Sequence, residues 1–341
     1  MTNLGVEIGL FGKFEIQADY FYEYRSNILM DRSQIPASMG LQVPLKANIG
    51  AAASHGFETS IDFNHSFANG LWVMGRANIT YAASKFKTYE ELNFVGAGLP
   101  WRSRLGNSIN QQYGYIAERL FVDEADIANS PLQTFGRYMA GDIKYKDISG
   151  DGRIDENDVV PIGYPSDPEV IYGFGASAGY KGFDFSFFFQ GSARSSFFID
   201  TYKTAPFIDI NDGSQGDEWN NKIGNNALLN AWANDHWSED NRNSYAAWPR
   251  LSNQVIENNM QASTWFIRNG AFLRLKSFEV GYTIPKKSFL TKAGLSSMRF
   301  YISGTNLLTI SIFKLCDVEM GGNGLGYPIQ KVFNLGVNVN F

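Results

Sequence analysis

The residues best placed to do chemistry form one run, Asp147 to Asp158, reading DISGDGRIDEND. Oxygen-bearing side chains fall at positions 1, 3, 5, 9 and 12 of the run, as Asp147, Ser149, Asp151, Asp155 and Asp158. Gly152 stands at position 6, and Arg153 at position 7 offers its backbone carbonyl. That spacing wraps a hard divalent cation, because the oxygens converge and the glycine permits the sharp turn between them. Asp158 occupies the place of the usual bidentate Glu, and its shorter reach points to weak Ca²⁺ binding or to Mg²⁺. A solvated acidic turn is the other reading of the same residues. Flanking EF-hand helices are absent, since Val159, Val160 and Pro161 lead directly towards a strand, so the role expected of the loop is to stiffen a connection.

A second group is aromatic. Trp219, Trp232, Trp237 and Trp248 lie together in one irregular segment. They suit stacking on a sugar or peptide in a mouth, or packing of a long loop on itself and at a membrane rim, and for any single tryptophan packing is the favoured reading. Catalysis finds little support. His55, His65 and His236 are scattered, with no G-x-S-x-G elbow, no H-E-x-x-H pair and no phosphate-binding glycine loop. Neighbouring acids such as Asp217 and Glu218, or Glu239 and Asp240, read as solvated loop charges rather than a glycosidase pair. The expectation is a protein that is not an enzyme.

Whatever these residues do, strands must hold them. Aromatic residues make up 15% of the 341 residues, with 34 glycines and only 11 prolines, a balance that favours strands with tight turns. Mean hydropathy of −0.22 rules out a helical membrane protein but not a membrane barrel, in which half of each strand is polar. Lys and Arg total 29 against 34 Asp and Glu, without a basic run, so a nucleic-acid partner is not expected. The lone cysteine, Cys316, allows no internal disulfide. The N-terminal residues lack the pattern of a secretory signal, so the reading is either a cytoplasmic protein or one whose true beginning lies upstream.

The alternation itself is clearest in the last residues. In Lys331 to Phe341, Phe333, Leu335, Val337, Val339 and Phe341 fall on one side of an extended strand, and Asn334, Gly336, Asn338 and Asn340 on the other. This is expected to be an edge strand that needs a partner. Phe14, Ile16, Ala18, Tyr20, Tyr22 and Tyr24 alternate with polar residues in the same way, only Phe21 breaking the phase, and Val6 to Phe11 supplies a hairpin partner. Further strands are predicted at 57–64, 71–81, 172–180, 183–190, 272–284 and 298–303, and a less definite one at 109–117. Turn signals stand at Ala68 to Gly70 and at Lys181-Gly182, a bulge is expected near Lys276, and a short acidic helix or turn near 123–128. The count is about ten strands in an all-β, antiparallel transmembrane β-barrel, with long loops at about 84–169 and 192–262.

Four stretches carry a resemblance: residues 147–192 from DISGDGRIDEND to FFFQGS, HWSEDNRNSYAAWPRL at 236–251, FLRLKSFEVGYTIPKK at 272–287, and 298–341 from MRFYISGTNLLTI to the terminal Phe. In that order they resemble the C-terminal part of SusC/RagA-class TonB-dependent outer-membrane transporters of Bacteroidetes-type bacteria. The resemblance runs from near Asn3 to the end. It implies a 22-stranded barrel in the outer membrane, of which residues 1–341 would be the C-terminal portion, without the N-terminal plug and TonB-binding segment that drive import. It also implies a SusD-like surface lipoprotein as lid and oligosaccharide or peptide as cargo, but carries over no substrate-binding residue; the four tryptophans are candidate substrate or lid contacts on their residue type and their place in a long loop. A different class competes with it, an extracellular or periplasmic β-sandwich that binds carbohydrate with Ca²⁺. Strand length separates the two, since a tilted membrane strand needs about ten residues and a globular one nearer five or six.

Overall fold

Sustained alternation has one structural outcome, a long strand with unlike faces, and the main sheet contains nine such strands, of 9 to 21 residues. The computed structural model describes residues 1–43, 45–210, 223–225, 228–284, 292, 294–324 and 326–341. Its main sheet contains β1 (Thr2–Leu10), β2 (Phe14–Asp31), β3 (Lys46–Ser66), β4 (Trp72–Thr88), β5 (Val170–Tyr180), β6 (Phe183–Ala193), β7 (Phe272–Ile284), β8 (Ser297–Ser311) and β9 (Val332–Asn340). Each strand pairs antiparallel with its neighbours in chain order.

Register makes the alternation collective. Ile8, Ile16, Ile61, Ala77, Phe174, Phe189, Leu275 and Leu308 stand side by side from β1 to β8. One residue along, Glu7, Gln17, Ser60, Asn78, Gly173, Gln190, Arg274 and Thr309 form the matching row on the opposite face. A slip of one residue in any strand would exchange the faces, so the pattern fixes the register. Phe21, the residue out of phase, lies on the polar face over Gly56, where an added Cβ would come within 2.6 Å of its ring.

The barrel expectation holds only in part: the sheet is antiparallel but not closed. Among the described residues β1 pairs only with β2 and β9 only with β8, which leaves β9 the edge strand expected at 331–341 and a second edge at β1, and the nine strands stand against an expected count of about ten. Closure demands a strand number, tilt and register that bring the two edges together, and this sheet does not bring them together. The β-sandwich alternative fails, because the other strands form two-stranded sheets within the connections. The main strands, 9 to 21 residues long, exceed the usual globular length.

The local signals mostly hold. Lys181 and Gly182 have φ of +49° and +88°, as a two-residue primed turn requires. Ladder pairing skips Lys276, which places the bulge where the change of phase puts it. The acidic helix is Glu124–Ala128, capped by Asp123, which accepts from the Asp126 amide at 2.8 Å. The strand expected at 109–117 is reduced to the short pieces Tyr113–Gly114 and Ala117–Leu120.

The connections divide by length. Residues 11–13, 67–71, 181–182 and 285–296 join strands at one end of the sheet, and 32–45, 89–169, 194–271 and 312–331 join them at the other. The main hydrophobic core lies with the long connections. Leu120, Ile143, Tyr145, Ile154, Trp232, Trp248 and Phe266 are buried there together, while no strand of the main sheet contributes a buried side chain to that cluster.

Candidate functional site

The acidic run folds as a turn that caps itself. Asp147 accepts from the amides of Gly150 (2.6 Å) and Gly152 (2.8 Å) and from the Ser149 hydroxyl (3.2 Å). Both glycines have positive φ, +75° and +81°, which explains their residue type. Burial pushes the Asp147 carboxyl up, and the hydrogen bonds from Gly152, Gly150 and Ser149 outweigh it, leaving the group below its ordinary value. Asp158 is wholly buried and accepts at 2.9 Å from each of the amides of Ile148, Ser149 and Asp155. Asp155 accepts from Asn157 and Asp151 from Arg153, both at 2.8 Å. The six residues assigned by spacing to a cation are thus brought into one compact turn, with their carboxylates engaged by backbone amides. Among the described residues no three His, Cys, Asp or Glu side chains form a group that could hold a metal ion.

The turn positions a second set of side chains. The Asn157 carbonyl accepts from Trp101 Nε1 at 2.7 Å, and its Oδ1 accepts from Arg102 at 2.9 Å. Glu156 lies 3.5 Å from the same guanidinium, which sits over the Phe94 ring at 4.8 Å. Two residues on, the Arg104 guanidinium lies over Tyr89 at 5.6 Å and Tyr113 at 5.5 Å. Phe94, Arg102, Arg104, Tyr89, Tyr113 and Glu156 line a recess where the 32–45 connection meets the 89–169 connection, with Ser33 and Glu91 also on its wall.

The two longest connections are joined by a buried polar clasp. Asp142 accepts from the Asn259 amide at 2.8 Å and pairs with Arg250 at 2.8 Å. Burial pushes its carboxyl above the ordinary value, against the pull of the Arg250 charge. Gln133 donates to Asn258 Oδ1 at 2.5 Å and accepts from the Tyr145 amide at 2.7 Å, and Asn258 donates to the Ile143 carbonyl at 2.8 Å. On the side of this assembly, Asp126 pairs with Arg119 and Lys144, and the Arg119 hydrogen bonds hold its carboxyl well below the usual carboxylate range.

Trp232, Trp237 and Trp248 are each 4% exposed. Trp232 and Trp248 stack at 4.4 Å between ring centres, so these rings pack the loop core. Trp219 lies outside the described residues. The polar face of the sheet carries its own charge pairs, Asp62 with Arg76 at 2.6 Å, and Arg299 with both Asp184 and Glu279.

Sequence reading found the acidic turn and the tryptophans but missed the clasp and the recess. Gln133, Asn258 and Asn259 lie in irregular segments with no period to betray burial. Arg102 and Arg104 had one visible signal, the basic and aromatic mixture of WRSRL at 101–105.

No protein-family model matches the chain. Over 99% of its length it is 26% identical to TonB-dependent receptor P26 and 25% identical to TonB-dependent receptor P3, both of Formosa agariphila, spanning 34% of each. It is 24% identical to TonB-dependent receptor SusC of Bacteroides thetaiotaomicron and spans 31% of that protein. Among solved structures, 99% of the chain superposes on 35% of a chain of the RagAB peptide transporter, with a TM-score of 0.68 and 19% identity. In the open-open state of the RagAB peptide importer the TM-score is 0.69. The chain therefore spans about a third of the length of the curated relatives it matches, shares its fold with part of a RagAB chain, and is similar in sequence to part of several TonB-dependent receptors, SusC among them.

Proposed function

We propose that residues 1–341 form the wall and outward-facing loops of a TonB-dependent importer in the outer membrane. One observation carries this reading: the sheet exposes an unbroken apolar row on one face and a polar row on the other, while its long connections gather at one end around their own core. A water-soluble protein would have to cover the apolar face, whereas hydrocarbon lipid solvates it as it stands. The short turns at 11–13, 67–71 and 181–182 at one end and the long loops at the other also suit an outer-membrane wall. In this reading the polar face lines the import path. The plug and the TonB-coupling segment belong to the two thirds of the relatives' length that this chain does not span. The cargo is an oligosaccharide or a peptide, delivered by a SusD-like surface lipoprotein that docks on the long loops. On its ligand spacing we assign the 147–158 turn to Ca²⁺ or Mg²⁺, which would have to draw together carboxylates that backbone amides now hold apart from one another.

Sidedness tests the proposal. With Cys316→Ser as background, single cysteines at Tyr245, exposed in the 194–271 connection, and at Lys13, in a short turn, would be probed on intact cells with a membrane-impermeant maleimide. The expected result is labelling at 245 and none at 13 until the outer membrane is opened. Equal labelling of the two sites on intact cells would exclude the arrangement.

A further inference from the structure

The recess around Arg104 holds four acidic residues and one arginine that none of them pairs with among the described residues. Its acidic residues are already engaged: Glu90 pairs with Arg32 at 2.6 Å, Glu156 with Arg102 at 3.5 Å and Asp31 with Lys46 at 3.8 Å. Glu91 accepts from the Ser103 hydroxyl at 2.5 Å and from the Arg104 backbone amide at 2.8 Å. Arg104 is different. Its guanidinium meets the faces of Tyr89 and Tyr113, and among the described residues it has no carboxylate partner. The Tyr113 hydroxyl is buried without a hydrogen bond of good geometry, beside the Asn107 side chain. Two tyrosine rings hold the guanidinium plane, so a ligand does not have to order it.

We propose that this recess binds a carboxylate, taken in a two-pronged grip by the Arg104 guanidinium, which the rings of Tyr89 and Tyr113 hold in place. The planar fork of arginine matches two carboxylate oxygens, and a fixed fork discriminates against neutral groups. The assignment rests on the importer reading for its source of ligand: an acidic sugar unit of an oligosaccharide and the C-terminus of a peptide both present this group. The acidic turn gains a role through the same geometry. By fixing Asn157 and Glu156 it holds Arg102 over Phe94, and so shapes the wall beside Arg104.

Calorimetry on the full chain in detergent tests the site with four probes: trigalacturonate, neutral galactotriose, a tripeptide with a free C-terminus and the same tripeptide amidated. At least one acidic probe is expected to bind, with its neutral counterpart about tenfold weaker or worse, and the acid that binds identifies the source. Arg104→Gln should weaken that binding by about 10- to 100-fold, and Arg104→Lys by less, since it keeps the charge but loses the fork. The proposal is overturned if neither acid binds, if neutral and acidic forms bind alike, or if Arg104→Gln binds as the unaltered chain does. Loss of binding with correct cysteine labelling would leave the importer reading standing. Binding by a chain with the wrong sidedness would strike that reading alone.

Discussion

The sheet and the loop assembly divide the tasks of a folded protein between them. In the sheet the backbone ladder runs through all nine strands, yet Phe333 and Leu335 of β9 are 72% and 82% exposed. In the loops the ladders shrink to strands of two to four residues, yet Leu120, Phe121, Ile143 and Ile154 are completely buried. One region satisfies its backbone and leaves its side chains to the surroundings; the other packs its side chains and satisfies its backbone piecemeal. The difference teaches that the loops carry a hydrophobic core of their own, while the importer reading assigns the exposed apolar face of the sheet to lipid.

The sharpest way to break that division is to attack the clasp. Asp142→Ala strands Arg250 and the Asn259 amide, and loss of one partner from a buried ion pair costs about 3–5 kcal/mol. The expected outcome is loss of amide protection across 113–160 and 228–266 by hydrogen exchange, with 170–193 and 272–311 still protected. Loss of protection in both regions together would show that they fold as one unit. The next test acts on the sheet. Val280→Arg, on the apolar face, should destabilise the lipid-embedded chain by about 2–4 kcal/mol, and Ser303→Arg, on the polar face, by less than about 0.5 kcal/mol. Urea titration in lipid vesicles measures both, and equal effects would mean that the two faces share one environment.

A smaller effect separates the regions by pH. The folded Asp126 carboxyl lies below its unfolded value because Arg119 donates to it, so its contribution is complete above the ordinary Asp value of about 3.9 and is lost as pH falls through the folded value. Asp142 has the opposite sign: its contribution is greatest below the ordinary value and is lost as pH rises through the folded one. Tryptophan emission follows the loops, since among the described tryptophans only Trp72 sits in the sheet. It should report loop loosening on acidification, and Asp126→Asn should flatten that acid limb. An unchanged limb would remove Asp126 from the account. The smallest expected effect is at the acidic turn, where calorimetry should find Ca²⁺ or Mg²⁺ binding with Kd of about 10⁻⁴–10⁻³ M, abolished by Asp151→Ala. Absence of binding in the unaltered chain would leave the run as a turn held by its amides alone.

The two regions were also unequally legible. Period two exposes a strand when one face differs from the other, which is why β2, β6 and β9 could be read residue by residue. β3 was placed from Phe57, although it begins at Lys46, because Ala51, Ala52 and Ala53 are buried on successive positions and break the alternation. The edge at β9 was legible but the one at β1 was not, since closure depends on strands that pair across the two ends and not on the pattern within any one strand. In the loops, DISGDGRIDEND announced a turn through its glycines and acids. The clasp had no such signal: Asn258 and Asn259 are buried by partners more than a hundred positions earlier in the chain.

The clasp also has a mechanical meaning. The 89–169 connection springs from β4 and β5, and the 194–271 connection from β6 and β7. Because Asp142, Asn259, Gln133 and Asn258 tie these connections together, they act as a strut across four adjacent strands. A load applied to the loop leaving β6 reaches the loop leaving β4 without passing down the sheet. The four strands are thereby braced against splaying at that end, while the turns at 67–71 and 181–182 at the opposite end offer no such strut.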